Sequence, residues 1–70
     1  NMNYLLKISA IGNDEERVHA LYGHIEDVYW HVKTKCAEGE IIDIYEEEEY
    51  IETVIRLNSS VAKLTHKLEW

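Results

Sequence analysis

Eight of the fourteen acidic residues lie close together between Cys36 and Arg56. No Lys or Arg interrupts this part of the sequence, and four of the acids form an unbroken run of glutamates. Adjacent carboxylates repel one another, so a local fold that holds them together loses stability unless a basic partner relieves the repulsion. The cluster therefore predicts a surface that binds a basic protein. Its members are Glu38, Glu40, Asp43, Glu46, Glu47, Glu48, Glu49 and Glu52.

The spacing of these acids suggests mimicry of a polynucleotide. In an extended strand, side chains two residues apart on one face are separated by about 6.6–6.8 Å. This distance is about twice the axial step between phosphates on one DNA strand. We therefore expect a hairpin carrying these acids to present a ladder of negative charge in register with a nucleic-acid backbone. The alternatives are a solvated turn that serves only solubility and a calcium site, which lacks the usual Asp-x-Asp-x-Asp-Gly loop.

Other side chains capable of chemistry have no partners at the right spacing. His24, Asp27 and His31 follow one helical stripe, but the two histidines would be about 10.5 Å apart along the axis, too far to share one tetrahedral zinc ion. Cys36 continues an apolar stripe and is expected to be a small buried hydrophobe rather than a nucleophile. The sequence therefore predicts no enzyme, no metal site and no cofactor.

Two further features indicate a contact surface. Trp30 falls on the helix face opposite the apolar stripe, and Gly23 lies one heptad earlier, where a helical glycine costs roughly 1 kcal/mol relative to alanine. We expect another element to approach closely there: the C-terminal helix, a dimer mate or a target. The first strand, whose outer face carries Leu5 and Lys7, is a second candidate dimer contact.

The elements that would position these residues follow from hydrophobic periodicity. Residues 3–11 alternate between apolar and polar faces and predict a strand that Gly12 ends. Asn13 is a suitable N-cap, and apolar residues at spacings of three and four predict a helix of about six turns, ending near Lys35 with Gly39 as its C-cap. The stripe consists of Val18, Leu21, Ile25, Val28 and Val32, widened by Tyr22, Tyr29 and Cys36.

Residues 40–57 allow two interpretations. Either 40–46 and 49–57 form an antiparallel hairpin that turns within the glutamate run, or a helix begins at Glu46 and continues to the C-terminus. We favour the hairpin because the polar residues 58–60 would interrupt the longer helix. Residues 60–69 then form a short final helix.

The favoured order is β-α-β-β-α in one small α+β domain covering residues 1–70. A right-handed crossover makes the first two strands parallel, and the hairpin adds an antiparallel third, as in a ferredoxin-like unit that lacks its final strand. The first strand is then an exposed edge, which invites pairing with another chain. Because the core is also small, we expect a homodimer. Asn1 precedes Met2, the expected initiator, and is expected to be a remnant of expression.

Composition excludes further classes of function. The chain has 70 residues, a formal net charge of -7 and one cysteine. The negative charge argues against direct binding to nucleic acid and against adhesion to anionic membranes. One cysteine excludes an internal disulfide. Because no run approaches the ~20 apolar residues of a membrane span and no signal peptide is visible, we expect a cytoplasmic protein.

Small size, strong acidity and clustered carboxylates together resemble the DNA-mimic inhibitors that bacteriophages use against host proteins, in particular those directed at the nucleoid protein HU. The resemblance is one of character over the whole chain, without a shared motif. It implies that the carboxylates take the place of phosphates in a basic groove and block DNA, in the host cytoplasm or nucleoid. The chain departs from the group in its modest charge and in Lys63 and Lys67 near its end.

We therefore predict a non-enzymatic homodimer that binds a basic nucleic-acid-binding protein and occludes its DNA site. The alternative is a structural or regulatory dimerisation module, in which the acids serve solubility and Trp30 and the first strand form the working surface. A third interpretation, a metal-dependent enzyme, predicts bound zinc in the purified protein.

Overall fold

The computed structural model describes residues 1–64 and contains one five-stranded sheet and one helix. In chain order the elements are β1 (Met2–Ala10), β2 (Asn13–Gly23), α1 (Ile25–Lys35), β3 (Glu40–Glu46), β4 (Glu49–Arg56) and β5 (Val61–Leu64). The strands lie in the order β2-β1-β3-β4-β5, and all neighbours are antiparallel. Within residues 1–64, no helix has the length and apolar character needed to cross a membrane.

The helix packs on one face of the sheet and forms the core with it. Alternate residues of β1 and β3 point toward α1, because successive side chains of a strand point to opposite faces. Val28 and Val32 of the helix are fully buried among them. We call the other side of the sheet the uncovered face, because α1 does not lie on it. The buried sheet residues on the helix side are Tyr4, Leu6, Ile8, Ile42, Ile44 and Val54.

Two predicted features are confirmed. Residues 2–10 form a strand that ends just before Gly12. Residues 40–46 and 49–56 form a hairpin whose turn lies within the glutamate run, with Glu46 opposite Glu49. The alternative helix beginning at Glu46 is therefore wrong.

The predicted six-turn helix is wrong in its first half. Residues 13–23 form β2, and only residues 25–35 are helical. Gly12 has φ +85°, which allows a tight turn that brings β2 back along β1. Residues 17–22 alternate between the two faces as readily as they fit a helical stripe, and pairing with β1 along almost all of β2 decides between the two periods.

The predicted final helix, residues 60–69, is also wrong within the described residues. Residues 61–64 form β5, an edge strand that pairs with β4. The polar segment 58–60 is a break, as expected, but it serves as a hairpin turn rather than a helix cap. The Leu57 N–H donates to the Ser60 carbonyl at 2.8 Å and closes this turn. The remainder of the predicted helix, residues 65–69, lies outside the described residues.

The predicted ferredoxin-like topology is wrong because residues 13–23, which were expected to be helical, form the additional strand β2. β1 lies between β2 and β3, so it is not the exposed edge that was expected. β1 and β3 are antiparallel rather than parallel. In the described sheet the edges are β2 and β5, so edge pairing through β1 is wrong, and the homodimer stays a prediction.

Two histidines join β2 to α1. The rings of His19 on β2 and His31 on α1 are stacked, with centroids 4.0 Å apart and planes 14° apart. Burial lowers the pKa of His31, and the positive charges of His19, Lys35 and Arg17 lower it further. The contact therefore favours the neutral imidazole.

We expect the free energy of unfolding to fall as the pH drops below about 6.5, the ordinary pKa of His. The unfolded chain, whose His31 pKa is higher, takes up the proton first, so stability is complete above that pH and decreases below it. Urea unfolding should give a lower midpoint at about pH 5.5 than at about pH 7.5. His31→Gln should reduce this difference, whereas His24→Gln, at an exposed position, should retain it. An unchanged pH dependence in His31→Gln would contradict the assignment.

Candidate functional site

Three of the predicted acids face the helix side of the sheet and already have partners. Glu40 forms a bidentate pair with Arg17, at 2.7 and 3.1 Å, and also accepts the Ala37 N–H at 2.8 Å. The hydrogen bond from Arg17 is the main cause that lowers the pKa of Glu40. Glu46 accepts the Tyr4 hydroxyl at 2.9 Å. The carboxylates of Glu40 and Glu46 therefore bind partners within the fold.

Glu52 is the third acid on this side. It accepts the hydroxyl of Tyr29 and lies 3.4 Å from the Lys63 ammonium. Burial is the main cause that raises the pKa of Tyr29 to about 12, and the hydrogen bond to Glu52 adds to it. Glu52 therefore links α1 to β4 and β5.

Asp43 and Glu38 lie apart from these three acids. Asp43 lies on the uncovered face, directly opposite Lys7 of β1, and accepts a hydrogen bond from Thr53. Glu38 is exposed between α1 and β3, at the end of the sheet where Ala10 pairs with Glu40. The expected ladder of carboxylates is interrupted, because Asp43 lies on the uncovered face while Glu40, Glu46 and Glu52 lie on the helix side and already have partners within the fold.

A different grouping does come together, which we call the acidic end. Met2 pairs with Gly23 and Tyr4 pairs with Glu46, so the start of β1, the end of β2 and the end of β3 lie at one end of the sheet. The first turn of α1 and the β3–β4 turn lie there too. The acidic end consists of Glu26, Asp27, Glu46, Glu47, Glu48 and Glu49, of which all but Glu46 are exposed.

The charges at this end act on a common group. Burial raises the pKa of the Tyr4 hydroxyl, and the hydrogen bond to Glu46 raises it further. The negative charges of Glu26 and Asp27 add to the effect. The first turn of the helix and the hairpin turn thus contribute to one negative field.

The chain segments at the acidic end are 2–4, 22–27 and 45–50, and they contain no Lys or Arg. They contain four of the five tyrosines instead. Tyr22 and Tyr50 are exposed, by 66% and 38%. Tyrosine is enriched at protein interfaces because its ring supplies apolar area and its hydroxyl a hydrogen bond.

The hairpin turn has an unusual backbone for its sequence. Glu47 has φ 49° and Glu48 has φ 73°, the left-handed region that a two-residue type I′ turn requires. Asn-Gly or Gly-Gly normally occupies these positions, because a side chain with a Cβ is strained there. The turn therefore holds two glutamates where neither charge nor conformation favours them.

Asn3 holds this turn against the start of β1. The Glu47 N–H donates to the Asn3 carbonyl at 2.9 Å. In return, the Asn3 N–H and side-chain amide donate to Glu47 Oε2 at 2.8 and 3.3 Å. The carboxylate of Glu47 accordingly has a defined position.

The predicted contact residues lie in three places. Trp30 is 67% exposed on α1, as its position on the helix suggested. Gly23 ends β2, and a Cβ on it would lie 2.5 Å from Asp27 Oδ2, so a contact within the chain accounts for this glycine. Leu5 and Lys7 are half-buried on the uncovered face, with Lys7 4.9 Å from the ring centroid of Tyr45.

Glu26 and Asp27 were not predicted as part of an acidic surface, because the hydrophobic pattern placed them in the middle of a helix. Asp27 accepts the backbone N–H of His24 at 2.9 Å, which caps the true N-terminus of α1. An acidic pair after Gly23 was the available signal, since acids are favoured in the first turn of a helix. Within residues 1–64, no group of three or more His, Cys, Asp or Glu side chains is arranged to hold a metal ion. Cys36 is buried, and burial raises its pKa.

Glu48→Gly should stabilise the protein by about 1 kcal/mol, because glycine adopts φ 73° without strain. Glu49→Gly is the matched control, since it removes the same charge from the adjacent strand position, where glycine costs about 0.5–1 kcal/mol. Urea unfolding should move the two midpoints in opposite directions. Equal shifts would mean that charge alone, and not backbone strain, determines the stability of the turn.

Comparisons of the chain with protein-family models, with curated proteins and with solved structures find no match. The resemblance to DNA-mimic inhibitors therefore remains a prediction.

Proposed function

We propose that the protein binds a basic, nucleic-acid-binding protein through the acidic end and blocks the nucleic-acid site of that partner. It acts by binding and not by catalysis. The observation that carries this proposal is the turn at Glu47 and Glu48. The turn keeps two strained glutamates of like charge, although Asn-Gly or Gly-Gly would form a more stable turn. Backbone strain of this kind is concentrated at functional sites.

The charge distribution supports a basic partner. Six carboxylates meet at one end, and the segments that form it contain no Lys or Arg. A basic surface would relieve the repulsion among these carboxylates, and its counterions would be released. The field of the whole chain, with a net charge of -7, would also steer such a partner during encounter.

The mechanism is occlusion of the partner's site. Exposed carboxylates bind the Lys and Arg side chains of the partner that would otherwise contact phosphates. Tyr22 and Tyr50 add apolar contacts beside these carboxylates. The ordered turn lowers the entropy lost on binding, because Asn3 fixes it beforehand. HU is the first partner to test, in the cytoplasm or nucleoid of a host cell.

The test is displacement of a labelled DNA duplex from purified HU at low and high salt. The variant Glu26→Gln/Glu48→Gln/Glu49→Gln should be about tenfold weaker than the wild type, at about 0.5 kcal/mol for each exposed charge pair. The control, Asp14→Asn/Glu15→Gln/Glu16→Gln, removes three exposed charges from the opposite end of β2 and should lose much less. Both variants should unfold at midpoints close to that of the wild type.

Equal loss in the two triple variants would mean that only net charge matters, which contradicts a docking surface at the acidic end. Displacement that persists unchanged at high salt would contradict an electrostatic mechanism. A wild-type protein that leaves the DNA on HU would exclude HU as the partner.

A second candidate function is a dimerisation module, and the uncovered face favours it. Val18 and Tyr22 of β2 are 57% and 66% exposed on that face, beside Leu5 of β1. Contiguous exposed apolar side chains mark interaction surfaces. Five strands about 4.8 Å apart and about 24 Å long offer roughly 600 Å² per protomer, near the lower limit of stable interfaces.

If the uncovered face pairs two copies, light scattering should give a mass of twice 8.3 kDa for the wild type. Val18→Lys should then give the monomer mass, because it places a charge inside the interface. Ile11→Lys is the control, since Ile11 is 86% exposed in the β1–β2 turn and lies outside the face. A wild-type monomer at high protein concentration would rule out this candidate.

A further inference from the structure

We propose that a groove between α1 and the β4–β5 hairpin binds a small molecule with a planar ring and one anionic group, a carboxylate or a phosphate. The groove encloses about 410 Å³, which lies in the range of small-molecule sites. This site is separate from the acidic end, and nothing in the proposed docking function requires it.

The groove lies where α1 approaches β5 at one edge of the sheet, and side chains of both elements line it. The helix packs on the central strands through Val28 and Val32, whereas β5 lies at the edge beyond β4. Val54, which is buried, and Val61, which packs against the core, form an apolar floor between them. An apolar floor of this kind favours a ring over a fully polar ligand.

Trp30 supplies an aromatic wall. Its side chain lines the groove together with Tyr29, yet it is 67% exposed, although burying a tryptophan is strongly favourable. A planar ring stacked on the indole would gain binding free energy beyond that of the area it buries. The exposed indole above an apolar floor is therefore a place for a ring to insert.

The charges of the groove select an anion. Glu52 is compensated, because it lies 3.4 Å from the Lys63 ammonium and accepts the Tyr29 hydroxyl. Lys33 also lines the groove, is exposed, and takes part in neither ion pair of the described chain. The groove thus has a net positive charge on a protein whose total charge is -7.

Groups beside Lys33 reinforce this preference. Arg56 Nε donates to the Lys33 carbonyl at 3.0 Å, which brings a second cation next to it. Ser59 and Ser60 line the same groove, and their exposed hydroxyl groups are donors for carboxylate or phosphate oxygens. A ring on Trp30 and an anion near Lys33 are therefore compatible with one small ligand.

The test uses the full chain carrying Trp70→Phe, which leaves Trp30 as its single tryptophan. The indole N–H signal of Trp30 is followed by NMR at physiological salt while 2-naphthoate or its neutral match, 2-naphthamide, is added. We expect saturable shifts with 2-naphthoate near about 1 mM, which is ordinary for a ligand of this size. The amide should bind about three- to fivefold more weakly. A parallel titration with AMP and adenosine compares a phosphate ligand with its neutral counterpart, and so distinguishes phosphate from carboxylate as the preferred anion.

Lys33→Gln should remove the preference for the anion while ring binding persists. Lys35→Gln, two residues further along the helix and outside the groove, should keep the preference. Equal affinity for naphthoate and naphthamide, or an unmoved Trp30 signal at millimolar ligand, would overturn the assignment. A Trp30 signal that changes with protein concentration but not with ligand would also overturn it, because the occupant would then be a second copy of the chain.

Discussion

The central position of β1 in the sheet is the constraint on which the rest of the structure depends. Since β1 pairs with β2 on one side and with β3 on the other, both neighbours end beside its first residues. The helix must then begin there, and the β3–β4 turn must lie there as well. The acidic end is thus a consequence of strand register, and it joins acids from two distant parts of the chain.

Strand alternation explains why carboxylates that are neighbours in sequence have different roles. Glu40, Glu46 and Glu52 face the helix side, where Arg17, Tyr4 and Tyr29 bind them. In the turn, the Glu47 carboxylate accepts hydrogen bonds from Asn3, whereas Glu48 has a backbone conformation that glycine would adopt with less strain. A fold under selection for stability alone would not keep Glu48, which is the physical basis for the proposed partner.

Periodicity could predict part of the fold. The alternation of residues 3–11 and the β-branched segments on both sides of the glutamate run were sufficient for β1, β3 and β4. Residues 17–22 were ambiguous, because Val18 and Leu21 satisfy a helical stripe while the same segment alternates as a strand. Only pairing with β1 resolves this ambiguity, and that non-local contact is invisible in local sequence.

The candidate site was predictable to a similar extent. The glutamate run and the exposed Trp30 could be identified from sequence, since neither depends on strand register. The contribution of Glu26 and Asp27 could not, because it required the true start of α1. The groove beside Trp30 could not be predicted either, because Val61, which forms part of its floor, lies in β5, and this segment was expected to be helical.

The most direct test of the central claim is to map the bound surface of the isotope-labelled protein by NMR during titration with HU at low salt. The account predicts that the largest amide shifts fall at Glu26, Asp27 and residues 47–49. Shifts that cluster at the start of β2, or that spread evenly over the sheet, would contradict it.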